Sequence, residues 1–319
     1  MKTVTILIPC YNEEASLPRL EAALKELMQK QDGYLWEIML INDGSKDHTL
    51  EKIKEMNQSD QRFGYVSLSR NFGKEAAMLA GFDHAHGDCV VIMDADLQHP
   101  PSAIPAMLKE WEAGYEDVYA RRTDRGQEPW LRRQLTMVYY GLLQKMSDID
   151  ILQNVGDFRL LDRKCIDALK ELRETQRYTK GMYCWIGFRK KEILFEQGDR
   201  LEGQSSFNFW RLLRLSIEGI TSYTTSPLRI ATILGLICSL CAFCYMVYIL
   251  FNTIFFGEIV RGYPTIMVVL LFLGGAQLLS LGVIGEYLGR IFHESKHRPV
   301  YIVSEEKSAS NCSAFFYSL

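Results

Sequence analysis

The chain has 319 residues, a formal net charge of −3 and a hydrophobic content of 48%. That length fits one large domain or two ordinary ones. A balance so close to neutral gives no basic footprint for a nucleic-acid partner.

From the N-terminus, "MKTVTILIPCYNEE" has a short apolar run that meets Asn12, Glu13 and Glu14 at once, with no cleavage-site pattern. It is not a signal peptide, so the large N-terminal part is expected in the cytoplasm. "TVTILIP" reads as a buried strand that stops at Pro9. Leu17, Leu20, Leu24 and Leu27 follow at helical spacing. "WEIMLIND" is a second strand, and Leu50, Ile53 and Met56 mark one face of a second helix. "YVSLS" is a third strand, "KEAAMLAGFDHA" a helix opened by Gly73, and "CVVIMDAD" a fourth strand. After Pro101 come a helix and a short strand, "EDVYARR". Then follow a helix over 130–146, a strand and helix in "GDFRLLDRKCIDAL", and a strand in "RKKEILFEQGDR". Strands alternating with helices predict a mostly parallel α/β sheet, with ligands beyond the carboxyl ends of the strands. The polar clusters "PCYNE", "NDGS", "SRNFGK" and "DADLQ" fall at those ends.

In the last third, 230–256 and 264–285 are nearly free of charge, and each is long enough to cross a bilayer, which takes roughly 20 apolar residues. The link "GEIVRGY" is short, so the two form a helical hairpin. Arg211, Arg214 and Arg229 precede it, and Arg290, Lys296 and Arg298 follow it, against Arg261 in the link. By the positive-inside rule both flanks are cytoplasmic. A buried hairpin of a soluble protein is the alternative. Over 207–221, Trp210, Leu213, Ile217 and Ile220 share one face, with Arg211 and Arg214 beside it. This amphipathic helix either lies in the membrane interface or packs on the soluble core, and the 130–146 helix poses the same choice. The expected organisation is a catalytic domain over 1–206, a juxtamembrane helix over 207–227, a transmembrane hairpin over 228–289 and a cytoplasmic tail over 290–319.

Of eight cysteines, Cys10, Cys89, Cys165 and Cys184 read as reduced, mostly buried thiols. Cys238, Cys241 and Cys244 lie in the first apolar segment without a fourth ligand, which favours packing over a cluster. The histidines show no zinc spacing with the cysteines, and His84 and His86 read as structural. There is no Walker pattern, no G-x-G-x-x-G and no G-x-S-x-G.

The stretch "VVIMDADLQHPP" sets Asp94 and Asp96 one residue apart. On a continuing strand they point to one side, as does Gln98 if the backbone stays extended. Two carboxylates side by side repel, and a hard divalent cation resolves the conflict. A polar loop with two surface aspartates is the plainer reading. Lys74 stands at a helix start, where free amides favour an anion. Arg122, Arg125 and Arg200 sit in loop-like contexts, and Arg125 reads as a solvated surface charge.

"ILIPCYNEE", "LINDGSKDHT", "SLSRNFGKEAAMLAGFDHAHGD", "IMDADLQHPP", "VGDFRLLDRK" and "GITSYTTSPLR" resemble, in order, the family 2 glycosyltransferases that load a sugar onto a polyprenyl phosphate. That group includes dolichol-phosphate mannose synthase and the bactoprenol glucosyltransferases. The resemblance covers about residues 1–304, and its C-terminal part is most similar to the bacterial members. It implies a glycosyltransferase A fold, a nucleoside-diphosphate sugar donor, Mg2+ or Mn2+, and inversion at the anomeric carbon. By the same resemblance Pro9, Tyr11, Asn12, Glu13 and Asp43 hold the nucleoside, and Lys74, Arg122 and Arg200 serve the rest of the nucleotide sugar. Asp94, Asp96 and Gln98 bind the metal, Asp94 also meeting the nucleotide, and Asp157 stands beside the reacting groups as a base. Where many relatives carry a basic residue in "G-x-S-K", this chain reads "GQSSF", with Ser206. Arg132 and Arg211 are then the candidates for the acceptor phosphate.

The implied reaction joins a UDP-sugar, with glucose before N-acetylglucosamine, to undecaprenyl phosphate. It is placed at a bacterial inner membrane in a homo-oligomer, with a tetramer as one form. A GDP-mannose-using synthase and a non-catalytic membrane scaffold are the alternatives. A processive polymer synthase is excluded by the absence of Q-x-x-R-W near Gln204.

Overall fold

A computed structural model of the chain describes residues 1–122, 155–175, 177–195 and 262–309, with scattered positions between 231 and 255. These fall into two units, one formed by the described residues of 1–195 with 298–309, the other by those of 231–297.

The first unit is a sheet covered by helices on both faces. Its elements are β1 (Thr3–Cys10), α1 (Leu17–Lys30), β2 (Leu35–Asn42), α2 (Thr49–Ser59), β3 (Phe63–Leu68), α3 (Lys74–His84), β4 (Cys89–Ile92), α4 (Ile104–Glu112), β5 (Asp117–Arg122), β6 (Val155–Asp162), α5 (Arg163–Glu171), α6 (Thr179–Trp185), β7 (Lys190–Phe195) and β8 (Val303–Lys307). The strand order is β7-β5-β6-β4-β1-β2-β3-β8. β1, β2, β3 and β4 run parallel, as do β5 and β7, while β6 is antiparallel to β4 and β5. β1 has β2 on one side and β4 on the other, so the order reverses there. Such a switch point opens a crevice at the strand ends.

Burial on both faces explains why the central strands are apolar throughout. Ile6 and Ile8 of β1 face Leu17, Leu20 and Leu24 of α1, with Ile53 and Ile104 in the same layer. Leu7 points to the other face, among Ala77, Met78 and Phe82 of α3 and Cys165, Ile166 and Leu169 of α5. Each fully buried Leu or Ile contributes about 1.5–3 kcal/mol by leaving water.

Three expectations change. β4 ends at Ile92 rather than running through Asp96. A further helix, α6, follows α5. The segment expected as a tail re-enters the first unit, where β8 pairs antiparallel with β3 and makes it an interior strand. Around that seam the Ser69 amide donates to the Ile302 carbonyl at 2.9 Å, and the Tyr301 hydroxyl to Asp83 at 2.6 Å. Glu305 pairs with Lys54 at 2.6 Å, and Glu306 lies 2.9 Å from His84 Nε2. His86 is fixed by Glu37, so both histidines are structural as expected.

In the second unit, the described residues between 231 and 255 are helical, and α7 runs over Tyr263–Ser295, 33 residues. Leu270, Phe272, Leu278, Leu281, Leu288 and Ile291 of α7 are exposed. Taken over the described residues alone, no helix is long and apolar enough to cross a membrane. Cys241 and Cys244 are exposed and Cys238 is buried, all as free thiols. The 130–146 and 207–221 helices lie outside the described residues.

The seam between β3 and β8 is tight at Gly64. A Cβ there would stand 2.8 Å from the Ala309 amide nitrogen and 3.1 Å from the Lys307 carbonyl oxygen. Both are backbone atoms, which cannot swing aside. Gly64→Ala gains about 0.5–1 kcal/mol of strand preference but incurs an overpacking cost of about 1–3 kcal/mol. We expect the clash to win, lowering Tm by a few degrees and opening the segment after residue 297 to proteolysis. Unchanged Tm and unchanged cleavage in Gly64→Ala would contradict this seam.

Candidate active site

The loops at the carboxyl ends of β1 to β4 enclose a cleft of about 340 Å3. Pro9, Tyr11, Glu13, Asp43, Lys74, Asp94 and Asp96 line it, with Cys10, Asn71, Gly73, Ala77 and Ala95. A cleft of this size at a switch point is the ordinary setting of a small-ligand site.

Asp43 organises the far wall. Its amide donates to the Cys10 carbonyl at 2.9 Å, and its two carboxylate oxygens accept the amides of Phe72 at 2.7 Å and Gly73 at 2.9 Å. Gly73 has φ 97°, left-handed backbone that glycine adopts without strain. Lys74 begins α3 directly after it. The anion expected at this helix start is thus partly supplied by the protein itself. Burial raises the Asp43 pKa, with the two amides opposing.

Asn12, expected as a nucleoside ligand, has a different place. It takes φ 56°, donates its amide to Ser45 Oγ at 3.0 Å and accepts the Lys46 amide on Oδ1 at 2.8 Å. It therefore stitches the β1–α1 loop to the β2–α2 loop and is not among the residues of the cleft wall. Glu13 follows it, donating its amide to Thr49 Oγ1 at 2.8 Å while its carboxylate faces the cleft. Burial raises the Glu13 pKa, and the charges of Asp96 and Asp94 push the same way.

The acidic pair is held by a turn and not by strand alternation. Beyond Ile92 the backbone leaves the sheet, and Leu97 has φ 58°. The Gln98 amide folds back onto Asp96 Oδ1 at 3.0 Å. Gln98 is buried and is not a wall of the cleft, and the extended backbone that would have aligned it with the two aspartates is replaced by this turn. The Asp94 amide donates to His99 Nδ1 at 3.2 Å, and His99 stacks on Phe158 at 4.8 Å.

Lys74 joins the two sides. Its Nζ lies 2.6 Å from Asp94 Oδ1 and 2.9 Å from Asp157 Oδ2, the latter on β6. Burial is the largest influence and would raise the Asp157 pKa, but the charges of Lys74, Lys180 and Arg159 and the Lys74 hydrogen bond together outweigh it and hold the carboxyl below its usual range. The two carboxylates together raise the Lys74 pKa against its own desolvation. Asp157 Oδ1 is buried and accepts no hydrogen bond among the described residues, so it is disposed to receive one from a ligand. Behind it Arg159 is buried, paired with Asp117 at 3.1 Å and stacked 3.7 Å over Tyr183.

Four carboxylates and one ammonium line the described cleft. Among the described residues no three His, Cys, Asp or Glu side chains are grouped to hold a metal ion. Two carboxylates with hard oxygen donors nevertheless fit a divalent cation that takes its other ligands from phosphate and water. Asp94 and Asp96 are those residues. The backbone of Arg122 ends β5, paired with Phe195, and its side chain lies outside the described residues, as do Arg200, Arg132 and Arg211.

Sheet order and cleft together define an α/β domain of the glycosyltransferase A type. Residues 5–170, over half of the chain, match glycosyl transferase family 2, and the chain belongs to that family. Residues 226–291 match the GtrB C-terminal hairpin. A bactoprenol glucosyl transferase of Shigella phage SfV is 43% identical over 304 residues, 95% of this chain and 99% of that protein. An uncharacterized glycosyltransferase of Synechocystis sp. is 44% identical over 302 residues, 95% of each chain. Among solved structures, glucosyl-3-phosphoglycerate synthase from Mycobacterium tuberculosis with Mn2+ and uridine-diphosphate-glucose has a TM-score of 0.43 at 18% identity, covering 73% of this chain and 78% of that one.

Sequence reasoning missed Glu75, one residue past Lys74. Its carboxylate accepts the Thr179 amide at 3.1 Å and the Thr179 hydroxyl as well, tying α3 to α6. Burial, then the nearby Asp157 charge, pushes its pKa up to about 7. An acid with a raised folded pKa stabilises the fold below its unfolded pKa, and that contribution is lost as pH rises through the folded value. The window here runs from about 4.5 to about 7. Relative to Glu75→Gln, which stays neutral, wild type is expected to lose Tm progressively between pH 5 and pH 8 on the order of a few degrees. Parallel Tm curves for the two proteins across that range would refute the assignment.

Proposed function

We propose that this chain transfers glucose from UDP-glucose to a polyprenyl phosphate, with inversion, giving polyprenyl-phosphate glucose and UDP. The observation that carries this reading is the identity of 41–43% over 95% of the chain to proteins named bactoprenol glucosyl transferase or its homolog, combined with the Asp94–Lys74–Asp157 arrangement in the cleft.

In this reaction a phosphate oxygen of the acceptor forms a bond to the anomeric carbon. The bond from that carbon to the UDP oxygen breaks, and its electron pair leaves with UDP. A phosphate monoester has its second pKa near 6, so at neutral pH the acceptor is largely dianionic and has no proton to give up at the attacking oxygen. Asp157 is poorly suited to act as a base, because Lys74 favours its ionised form. Its role is then to hold Lys74 and to offer Oδ1 to a sugar hydroxyl. The enzyme's larger task is positioning and the stabilisation of charge on the departing diphosphate. Lys74 supplies one positive charge there. Mg2+ or Mn2+ held by Asp94 and Asp96 would supply the other, as a Lewis acid toward the diphosphate. Pro9, Tyr11, Glu13 and Asp43 line the part of the cleft assigned to the nucleoside.

We place the apolar segments 230–256 and 264–285 across a bacterial inner membrane, with the catalytic domain and both termini in the cytoplasm. The match of 226–291 to a C-terminal hairpin and the exposed leucines of α7 support this placement. Gly274, Gly275 and Ala276 are small enough for close helix approach in a homo-oligomer.

The test is UDP release by purified protein supplied with polyprenyl phosphate, Mg2+ or Mn2+, and a panel of nucleotide sugars. UDP-glucose should be the preferred donor, ahead of UDP-N-acetylglucosamine and GDP-mannose. Asp96→Asn should keep its Tm and lose activity on the order of 100-fold or more. Preference for another donor would replace the sugar assignment. Turnover near wild type in Asp96→Asn would remove the metal assignment.

A further inference from the structure

The acceptor brings a phosphate dianion into a cleft that is already acidic. Lys74 is the ammonium that lines it, and that charge is shared between Asp94 and Asp157. A second cation close to Asp157 would balance the incoming phosphate. Arg159 is committed to Asp117 and buried beneath Tyr183. Arg177 donates to the Leu172 carbonyl. Lys180 differs from both. It is half-buried on α6, its charge reaches Asp157, and it forms no ion pair among the described residues.

The helix that carries it is held beside β6, by Thr179 at its start and by Tyr183, which is buried against Arg159. Thr179, the preceding residue, is fully buried and gives both its amide and its hydroxyl to Glu75. Glu75 is in turn the neighbour of Lys74. One carboxylate thus latches α6 to α3, and the two lysines beside the latch bring charge to Asp157 from separate helices. The latch joins residues 104 positions apart, so this convergence is a product of the fold.

We propose that Lys180 binds the phosphate of the acceptor, with the Glu75–Thr179 latch setting its distance from Lys74. This rests on the polyprenyl-phosphate reading above. A lysine ammonium has three donors and no fixed plane, which suits a phosphate as a point charge. Lys74 then serves the donor side of the reaction and Lys180 the acceptor side, with Asp157 between them.

The experiment uses the full chain in detergent or nanodiscs, with UDP-glucose and Mn2+, and varies two acceptors separately. One is a long polyprenyl phosphate and the other a short water-soluble prenyl phosphate. Lys180→Gln should raise KM for both acceptors on the order of ten-fold or more, the loss of one charge-assisted contact. KM for the donor and Mn2+-dependent UDP binding should stay within about two-fold, and Lys180→Arg should recover most of the acceptor affinity. An unchanged acceptor KM in Lys180→Gln would overturn the proposal. So would a rise confined to the long lipid, which would place Lys180 on the membrane side and not at the phosphate. Loss of UDP binding in Lys180→Gln would also overturn it, by making the residue part of the donor site or the core. If wild type used neither prenyl phosphate while binding UDP, the proposed function would fall first and the inference with it.

Discussion

The arrangement depends on one ammonium placed between two carboxylates. Lys74 is within 3 Å of both Asp94 and Asp157. Without it, two like charges from different strands would face a common space, at a cost of about 1–4 kcal/mol for charges some 4 Å apart in or near water. Each partner is delivered by a different part of the sheet. Asp94 comes from the turn after β4, Asp157 from within β6, and Lys74 from the first turn of α3. β6 runs antiparallel to β4, and this brings Asp157 back towards the end where β4 releases Asp94. The reversed strand is thus what completes the site.

The same residues that bound a ligand on paper also build the loops. Asn12 and Asp43 both spend hydrogen bonds on neighbouring backbone, Asn12 across to the β2–α2 loop and Asp43 across to the β3–α3 loop. Their side chains hold three strand-end loops in register before any nucleotide arrives. Loss of activity on replacing either one would therefore report loop geometry as much as ligand contact. Tyr11 is the opposite case, since it is exposed on the cleft wall.

Much of the first half of the chain was legible because its signals are local. Leu17, Leu20 and Leu24 repeat at helical spacing, and the runs "TILI" and "IMLI" are buried on both faces. Polar residues clustered at strand ends located the cleft, and Pro9, Tyr11, Glu13, Asp43, Lys74, Asp94 and Asp96 do line it. What was not legible depends on contacts remote in sequence or on backbone detail. Asp94 and Asp96 do reach one cleft, but a turn and not strand alternation presents them. Gln98 lies off the cleft wall because Leu97 takes a left-handed conformation that no periodicity signals. Glu75 and Lys180 acquire meaning only when α6 lands on α3. β8, "VSEEK", is short and mostly polar, and nothing in it announces a strand until β3 offers an edge.

That last strand has a consequence for the order in which the molecule is made. Tyr65 pairs with Lys307, roughly 240 residues later. At ordinary synthesis rates the ribosome needs roughly 10–50 s to cover that distance. Throughout that interval β3 stands as an open edge, while the apolar 230–256 and 264–285 segments are themselves emerging. The sheet can be completed only after the hairpin has been synthesised. A finished sheet is therefore a sign that the chain has passed its most hydrophobic stretch, and a nascent chain stalled in that stretch carries an unpaired strand that chaperones and proteases can read.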